Sequence, residues 1–173
     1  MLAPVLARLL EIPGVAEARV ECTGTYFLVA GDEPALGRAL AAVRDVLGPS
    51  SRPLDDPRAA VELARRARGE LWFSPSEIRG LSYVEGRILA ARVGDAVAAK
   101  IALEGGAREQ LHEAVRAEIL AALDHAHDTG GRSSTGWFWE EWPRIAERAA
   151  ARLSGSMPPV LCAEVRSALA AHW

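Results

Sequence analysis

The stretch Tyr83–Glu104, YVEGRILAARVGDAVAAKIALE, decides the fold, because it supports two opposite readings. As a β-hairpin, Arg87–Val93 and Ala96–Leu103 flank a Gly94-Asp95 turn. Val97, Ala99, Ile101 and Leu103 then alternate with Ala96, Ala98, Lys100 and Ala102. As two helices, the alanine content is better explained and Gly94 sits in the sharp turn between them. The alternation favours the hairpin, and the chain around it is expected to be α+β: a small antiparallel sheet, with a helical C-terminal third.

Working toward the N-terminus, Ser74-Pro75-Ser76-Glu77 matches a capping box with proline at the first helical position and predicts one or two helical turns. Leu71-Trp72-Phe73 is a short strand candidate. Asp56-Pro57 opens a helix through about Arg68, after a polar, proline-rich connection over 48–57. Before it, Asp32 caps a helix whose apolar stripe is Leu36, Leu40, Val43 and Leu47. Val15–Cys22 and Thr25–Ala30 read as strands joined at Thr23-Gly24. Leu2, Val5, Leu6 and Leu9 recur at helical spacing and stop at Pro13-Gly14.

Toward the C-terminus, Ala107 to about His127 is helical, with Leu111, Val115, Ile119, Ala122, Leu123 and Ala126 on one face. A polar loop over 128–136 follows. Trp137–Leu153 places Phe138, Trp142, Ile145, Ala149 and Leu153 together, and Pro143 should start or kink a helix there. The last helix, after Pro158-Pro159, carries Leu161, Val165, Leu169 and His172 on one face. The organisation expected is a helix–strand–strand–helix half over 1–48, a linker, helix and hairpin completing the core over 49–104, and a helical region over 105–173.

The segment Leu9-Leu10-Glu11-Ile12-Pro13-Gly14-Val15-Ala16-Glu17-Ala18-Arg19-Val20, its second strand, and the following Ala-Leu, Ala-Ala-Val and Leu-Gly pairs resemble the body of a heavy-metal-associated, ferredoxin-like domain. The resemblance covers about a quarter of the chain and implies a ferredoxin-like helix–strand–strand–helix unit. That family carries its metal on a CxxC, and this sequence has none, so the resemblance implies no metal function.

Half of the 173 residues are hydrophobic and a quarter are charged, which is ordinary globular composition. A chain this long should bury about 70% of its unfolded surface without staples. The net charge of −3 argues against a general nucleic-acid or anionic-membrane surface. Lys100 is the sole lysine among twenty basic residues, a skew ascribed to codon usage. Cys22 and Cys162 share no CxxC or zinc spacing and are expected to be free thiols. The N-terminus lacks a basic region followed by a long apolar run, and no stretch approaches the ~18 apolar residues of a spanning helix. A cytoplasmic location and no membrane partner are expected.

Four groups of residues invite a functional reading. His112 falls inside an apolar stripe, where it is either a core histidine satisfied by a backbone carbonyl or a general base lining a pocket with Glu109 and Arg116. For a metal, His112 and His127 would lie about 22 Å apart along one helix, too far for one ion. His125 and His127 point to opposite sides, so Asp124, His127 and Asp128 are the only metal candidates that share a face. Arg132, Ser133, Ser134 and Thr135 form a donor-rich loop ahead of a helix, fit for an anion or simply a linker. Trp137 and Trp139 flank the face that Phe138 and Trp142 use, leaving aromatic surface for a partner or a ligand.

No nucleophile elbow, dinucleotide fingerprint or Walker A loop is present. The leading expectation is a non-catalytic binding or interaction module that associates with itself or with another protein, with a small ligand as the lesser option. A small enzyme or metal protein is the first alternative, its cofactor unspecified. On the two-helix reading of 83–104, Leu89-Ala90, Gly94, Leu103-Glu104 and Gly106 resemble a helix-turn-helix, which makes a DNA-binding regulator the second; nucleic acid remains a disfavoured partner.

Overall fold

The computed structural model describes residues 2–129 and 137–172. Among them are seven helices and one three-stranded antiparallel sheet, so the fold is mixed but mostly helical. The chain divides into two compact units, Met1–Gly80 with His127–Ser134, and Leu81–Ala126 with Thr135–Trp173. No helix among the described residues is long and apolar enough to cross a membrane.

The first unit runs α1 (Ala3–Leu10), β1 (Val15–Glu21), β2 (Phe27–Gly31), α2 (Glu33–Leu47), α3 (Asp56–Ala67) and β3 (Trp72–Phe73). β1 is the central strand, in the order β2-β1-β3. Ala18 pairs with Val29 and Val20 with Phe27 on one side, and Val20 pairs with Phe73 on the other. Alternation along β1 sends Ala18 and Val20 into a core with Leu6, Leu9, Ala39 and Val43. Asp32 Oδ1 accepts from the Ala35 amide at 2.8 Å and Asp55 Oδ1 from the Arg58 amide at 3.0 Å, each satisfying an orphan donor of the helix it opens. The stripe expected on α2 is displaced by one residue. Ala35, Ala39 and Val43 are buried, while Leu36 and Leu47 are each 40% exposed. Small residues let α2 approach the sheet closely, and the bulkier leucines fall to the flanks.

The hairpin expected over 83–104 is absent. The capping box holds, with the Ser74 amide donating to Glu77 Oε2 at 2.7 Å, but it opens α4, a single helix from Pro75 to Lys100, rather than one or two turns. Gly94 breaks nothing, so the two-helix reading with a turn at Gly94 fails as well. The alternating run 96–103 that suggested a strand is half alanine, the residue of highest helix propensity, and fits a helix equally. The decisive pattern has period four: Gly86, Ala90, Gly94 and Ala98 are all buried. A Cβ at Gly86 would stand 2.6 Å from Leu123 Cδ1, and one at Gly94 2.8 Å from His112 Nδ1. These glycines are there for close approach, not for a turn.

The real turn follows Lys100. The Leu103 amide donates to the Ala98 carbonyl at 2.9 Å and the Ala102 amide to the Ala99 carbonyl at 3.4 Å, which is a Schellman motif. Its left-handed residue is Ala102, at φ 52°, where glycine is usual. That substitution hid the helix end from the sequence. Leu103 is buried behind the turn.

The second unit continues from Leu81 of α4 into α5 (Gly105–Asp128), α6 (Trp137–Leu153) and α7 (Pro159–Ala170). α4 and α5 lie antiparallel, since Gly86 meets Leu123 and Gly94 meets His112. The expected faces of α5, α6 and α7 supply the core: Leu111, Val115, Ile119, Ile145, Val165 and Leu169 are at most 1% exposed. Trp142 Nε1 donates to the Leu169 carbonyl at 3.2 Å, satisfying the one polar atom of a buried indole. α6 begins at Trp137, so Pro143 lies inside the helix and does not start it.

Candidate functional site

Close packing of α4 on α5 at their glycine contacts leaves a groove beside them, within the second unit. Helical spacing puts Arg87, Ala91 and Asp95 on one wall, at i, i+4 and i+8. Arg108, Glu109, His112, Glu113 and Arg116 of α5 form the other wall, and Gly105 stands at the end nearest the interhelical turn. The cavity measures about 580 Å³, the size of a small-molecule site. Glu109, His112 and Arg116, singled out from the sequence as one set, thus line one groove.

His112 is the centre of this wall. Its ring rests on Gly94, where no side chain intervenes, and its side chain keeps 28% exposure. Nε2 lies 3.2 Å from Asp95 Oδ1 but makes no well-directed hydrogen bond, and that nitrogen is shut off from solvent. No backbone carbonyl satisfies it, so His112 is not the carbonyl-bonded core residue that the apolar stripe suggested. Arg108 Nη2 donates to Asp95 Oδ1 at 2.6 Å. That bond holds the Asp95 carboxyl below its ordinary value against desolvation, with the charges of His112 and Arg108 adding to the effect. Asp95 is therefore a carboxylate near neutrality, already committed to a guanidinium.

The remaining charges divide in two. Arg116 pairs with Glu113 one turn away on the same helix. Arg87 and Glu109 make no hydrogen bond or ion pair with any described residue. Among the described residues of the groove, Arg87 and Glu109 are thus the charges without a partner, and His112 Nε2 is closed to solvent.

The other residues singled out by sequence do not join this groove. Among the described residues no three His, Cys, Asp or Glu side chains come together as a set able to hold a metal ion. Asp124 accepts from the Tyr83 hydroxyl, and Asp128 Oδ1 accepts from Arg79 Nη2 at 3.1 Å, within the first unit. Arg132, Ser133, Ser134 and Thr135 lie outside the described residues. Trp137 opens α6, and Trp139 is half exposed, edge-on to Phe138 with ring centroids 5.7 Å apart.

Sequence reasoning missed Arg87, Asp95 and Arg108 as site residues, because a hairpin put Asp95 in a turn and Arg87 on a strand. The signal available was the four-residue repeat of small residues from Gly86 to Ala98. It marks the buried face of α4 and thereby sets Arg87, Ala91 and Asp95 beside it.

No family model, curated protein or solved structure matches the chain.

Proposed function

We propose that this protein is a non-catalytic binding module whose α4–α5 groove takes a small, charged organic molecule. The observation that carries this is a cavity of about 580 Å³ on whose two walls the exposed side chains of Arg87 and Glu109 pair with no described residue. Two charges left without partners are available to a ligand at little cost in broken contacts. Binding is favoured over acid–base chemistry because His112 Nε2 faces Asp95 and is closed to solvent, so it cannot hand a proton to a substrate in this arrangement.

The test is an amide chemical-shift titration with a panel of free amino acids, di- and tricarboxylates and phosphate monoesters. Saturable shifts confined to residues 87–95 and 105–116 are expected for at least one class. No groove shift at millimolar concentration from any member would end the proposal.

A second reading rests on Trp139, whose indole is 50% exposed and supported by Phe138. Aromatic surface of this kind suits self-association or docking of another protein. Trp139→Ser should then lower the mass observed by analytical ultracentrifugation while circular dichroism stays unchanged; an unchanged mass removes this reading.

A further inference from the structure

We propose that two copies of this chain associate through the outer side of α4, antiparallel about a two-fold axis. This goes beyond the groove reading and does not depend on it. Three observations carry it: an apolar seam on the uncovered side of α4, two exposed charges that no described residue answers, and the single orientation in which those charges match.

α4 is apolar on both of its sides. Gly86, Ala90, Val93, Gly94, Val97 and Ala98 are buried. Leu81, Val84 and Ile88, on the side turned away from these, are 40%, 52% and 48% exposed. With Ala91, also exposed, they repeat at intervals of three, four and three, the spacing of a coiled-coil seam. A helix apolar all round belongs in an interior. Within this unit α5 covers the glycine side of α4, and the seam faces outward.

Glu85 and Arg92 lie on one flank of that seam, seven residues and two turns apart. Both are exposed, and neither forms a hydrogen bond or ion pair with a described residue. A two-fold axis requires that a residue meeting another be met by it in turn. An antiparallel second copy fulfils this, because the same flank of each helix then adjoins. Glu85 faces Arg92 of the second copy, and Arg92 faces its Glu85. The register that does so sets Val84 against Ile88 and Leu81 against Ala91, each pair formed twice. It leaves Glu85 and the opposing Arg92 about five residues apart along the axis, ~7.5 Å. Side chains lean toward the N-terminus of their own helix, so on antiparallel helices these two lean toward each other and close that distance. A parallel copy would instead bring Arg92 beside Arg87 of the other chain, a pairing of like charges. The charges thus fit the occupant to a second copy and select its direction. The seam is about 17 Å long and one helix wide, below the ~800 Å² per partner of a standard interface, so a dissociation constant on the order of 10–100 μM is expected.

The test is sedimentation equilibrium of the full chain at low salt, over a dilution series spanning that range. A mass rising toward twice that of the chain is expected. Ile88→Glu should hold the chain at the monomer mass, with the far-ultraviolet spectrum unchanged because this side chain is half exposed. Glu85→Arg and Arg92→Glu should each weaken association by about tenfold or more, and the two combined in one chain should return it to within about threefold of wild type. An equimolar mixture of the two single variants should associate more tightly than either alone. A mass that stays at one chain throughout gives the seam to another protein or to a lipid surface and overturns the inference. So does a dimer that survives Ile88→Glu, or one whose single charge variants are not rescued by combination. A dimer lost on Trp139→Ser but kept on Ile88→Glu belongs to the aromatic surface of α6 and overturns it equally.

Discussion

The first unit uses ion pairs to tie a strand to a helix, whereas the second keeps two unpaired charges along one groove. In the first, carboxylates and guanidinium groups close on one another. Glu17 Oε1 accepts from Arg19 at 2.7 Å and from Arg66 at 2.6 Å, joining β1 to α3. Arg19 holds the Glu17 carboxyl below its usual range, over the opposing effect of desolvation, and Arg66 adds to it. Glu62 and Glu70 both bond Arg65 and raise its basicity, Glu70 first. Even Glu21, 3% exposed, is satisfied by its neighbours Thr23 and Cys22. In the second unit one charge centre is closed in the same manner: Glu118, 5% exposed, accepts from Arg148 at 2.7 Å and from Arg152. Along the α4–α5 groove, Arg87 and Glu109 pair with no described residue. Networks that satisfy themselves hold a structure together, whereas groups left over are available to something else.

That contrast is open to direct attack, and the largest effect belongs to Glu118. Glu118→Ala leaves Arg148 and Arg152 facing a buried void and should cost about 2–3 kcal/mol in urea denaturation, short of a fully buried pair because both guanidinium groups keep about half their exposure. Desolvation pushes the Glu118 carboxyl up, but the bonds from Arg152 and Arg148 outweigh it and the net displacement is downward. A carboxyl with a lowered folded value stabilises above its unfolded value, so this contribution is present at neutral pH and fades as pH falls below about 4. The wild type should lose stability over that range and Glu118→Ala should lose less; parallel pH profiles would show that the centre does not stabilise the fold.

Gly94→Ala comes next. Its Cβ would meet the His112 ring at 2.8 Å, inside contact distance, and should cost about 1–3 kcal/mol. The expected readout is a changed His112 imidazole resonance together with a lowered melting temperature. Neither changing would mean that the helices are not held as close as the glycine contact requires.

Smaller still is Glu17→Gln, which weakens a network about one-third exposed and should cost about 0.5–1 kcal/mol. Smallest is the pair that defines the groove. Arg87→Gln and Glu109→Gln break no contact with a described residue and should each stay within about 0.5 kcal/mol of wild type. A loss as large as that of Glu17→Gln would show these charges to be structural and erase the difference between the units.

Much of the fold was legible from spacing alone. The helix at Ala3–Leu10, both strands of the N-terminal pair, the Asp32 cap and the faces of α5, α6 and α7 follow from local periodicity and capping chemistry, which need no knowledge of neighbours. The site was legible in part: Glu109, His112 and Arg116 share a helical face, and that is a property of the sequence. Arg87 and Asp95 were not, because the stretch 83–104 fits periods of both two and four, and Arg108 was not, because its partner Asp95 lies on another helix.

The sequence by itself determined the helical stripes, the strand pair and the capped starts, since each depends on residues within a few positions of one another. Only the tertiary structure decided that Gly86 and Gly94 are packing glycines, that the chain turns at Ala102, and that Arg87 and Glu109 lack partners. Those outcomes depend on Leu123, His112 and the opposite wall of the groove, residues distant in sequence. A glycine at a turn and a glycine under a neighbouring side chain are spelled alike, and only the neighbour distinguishes them.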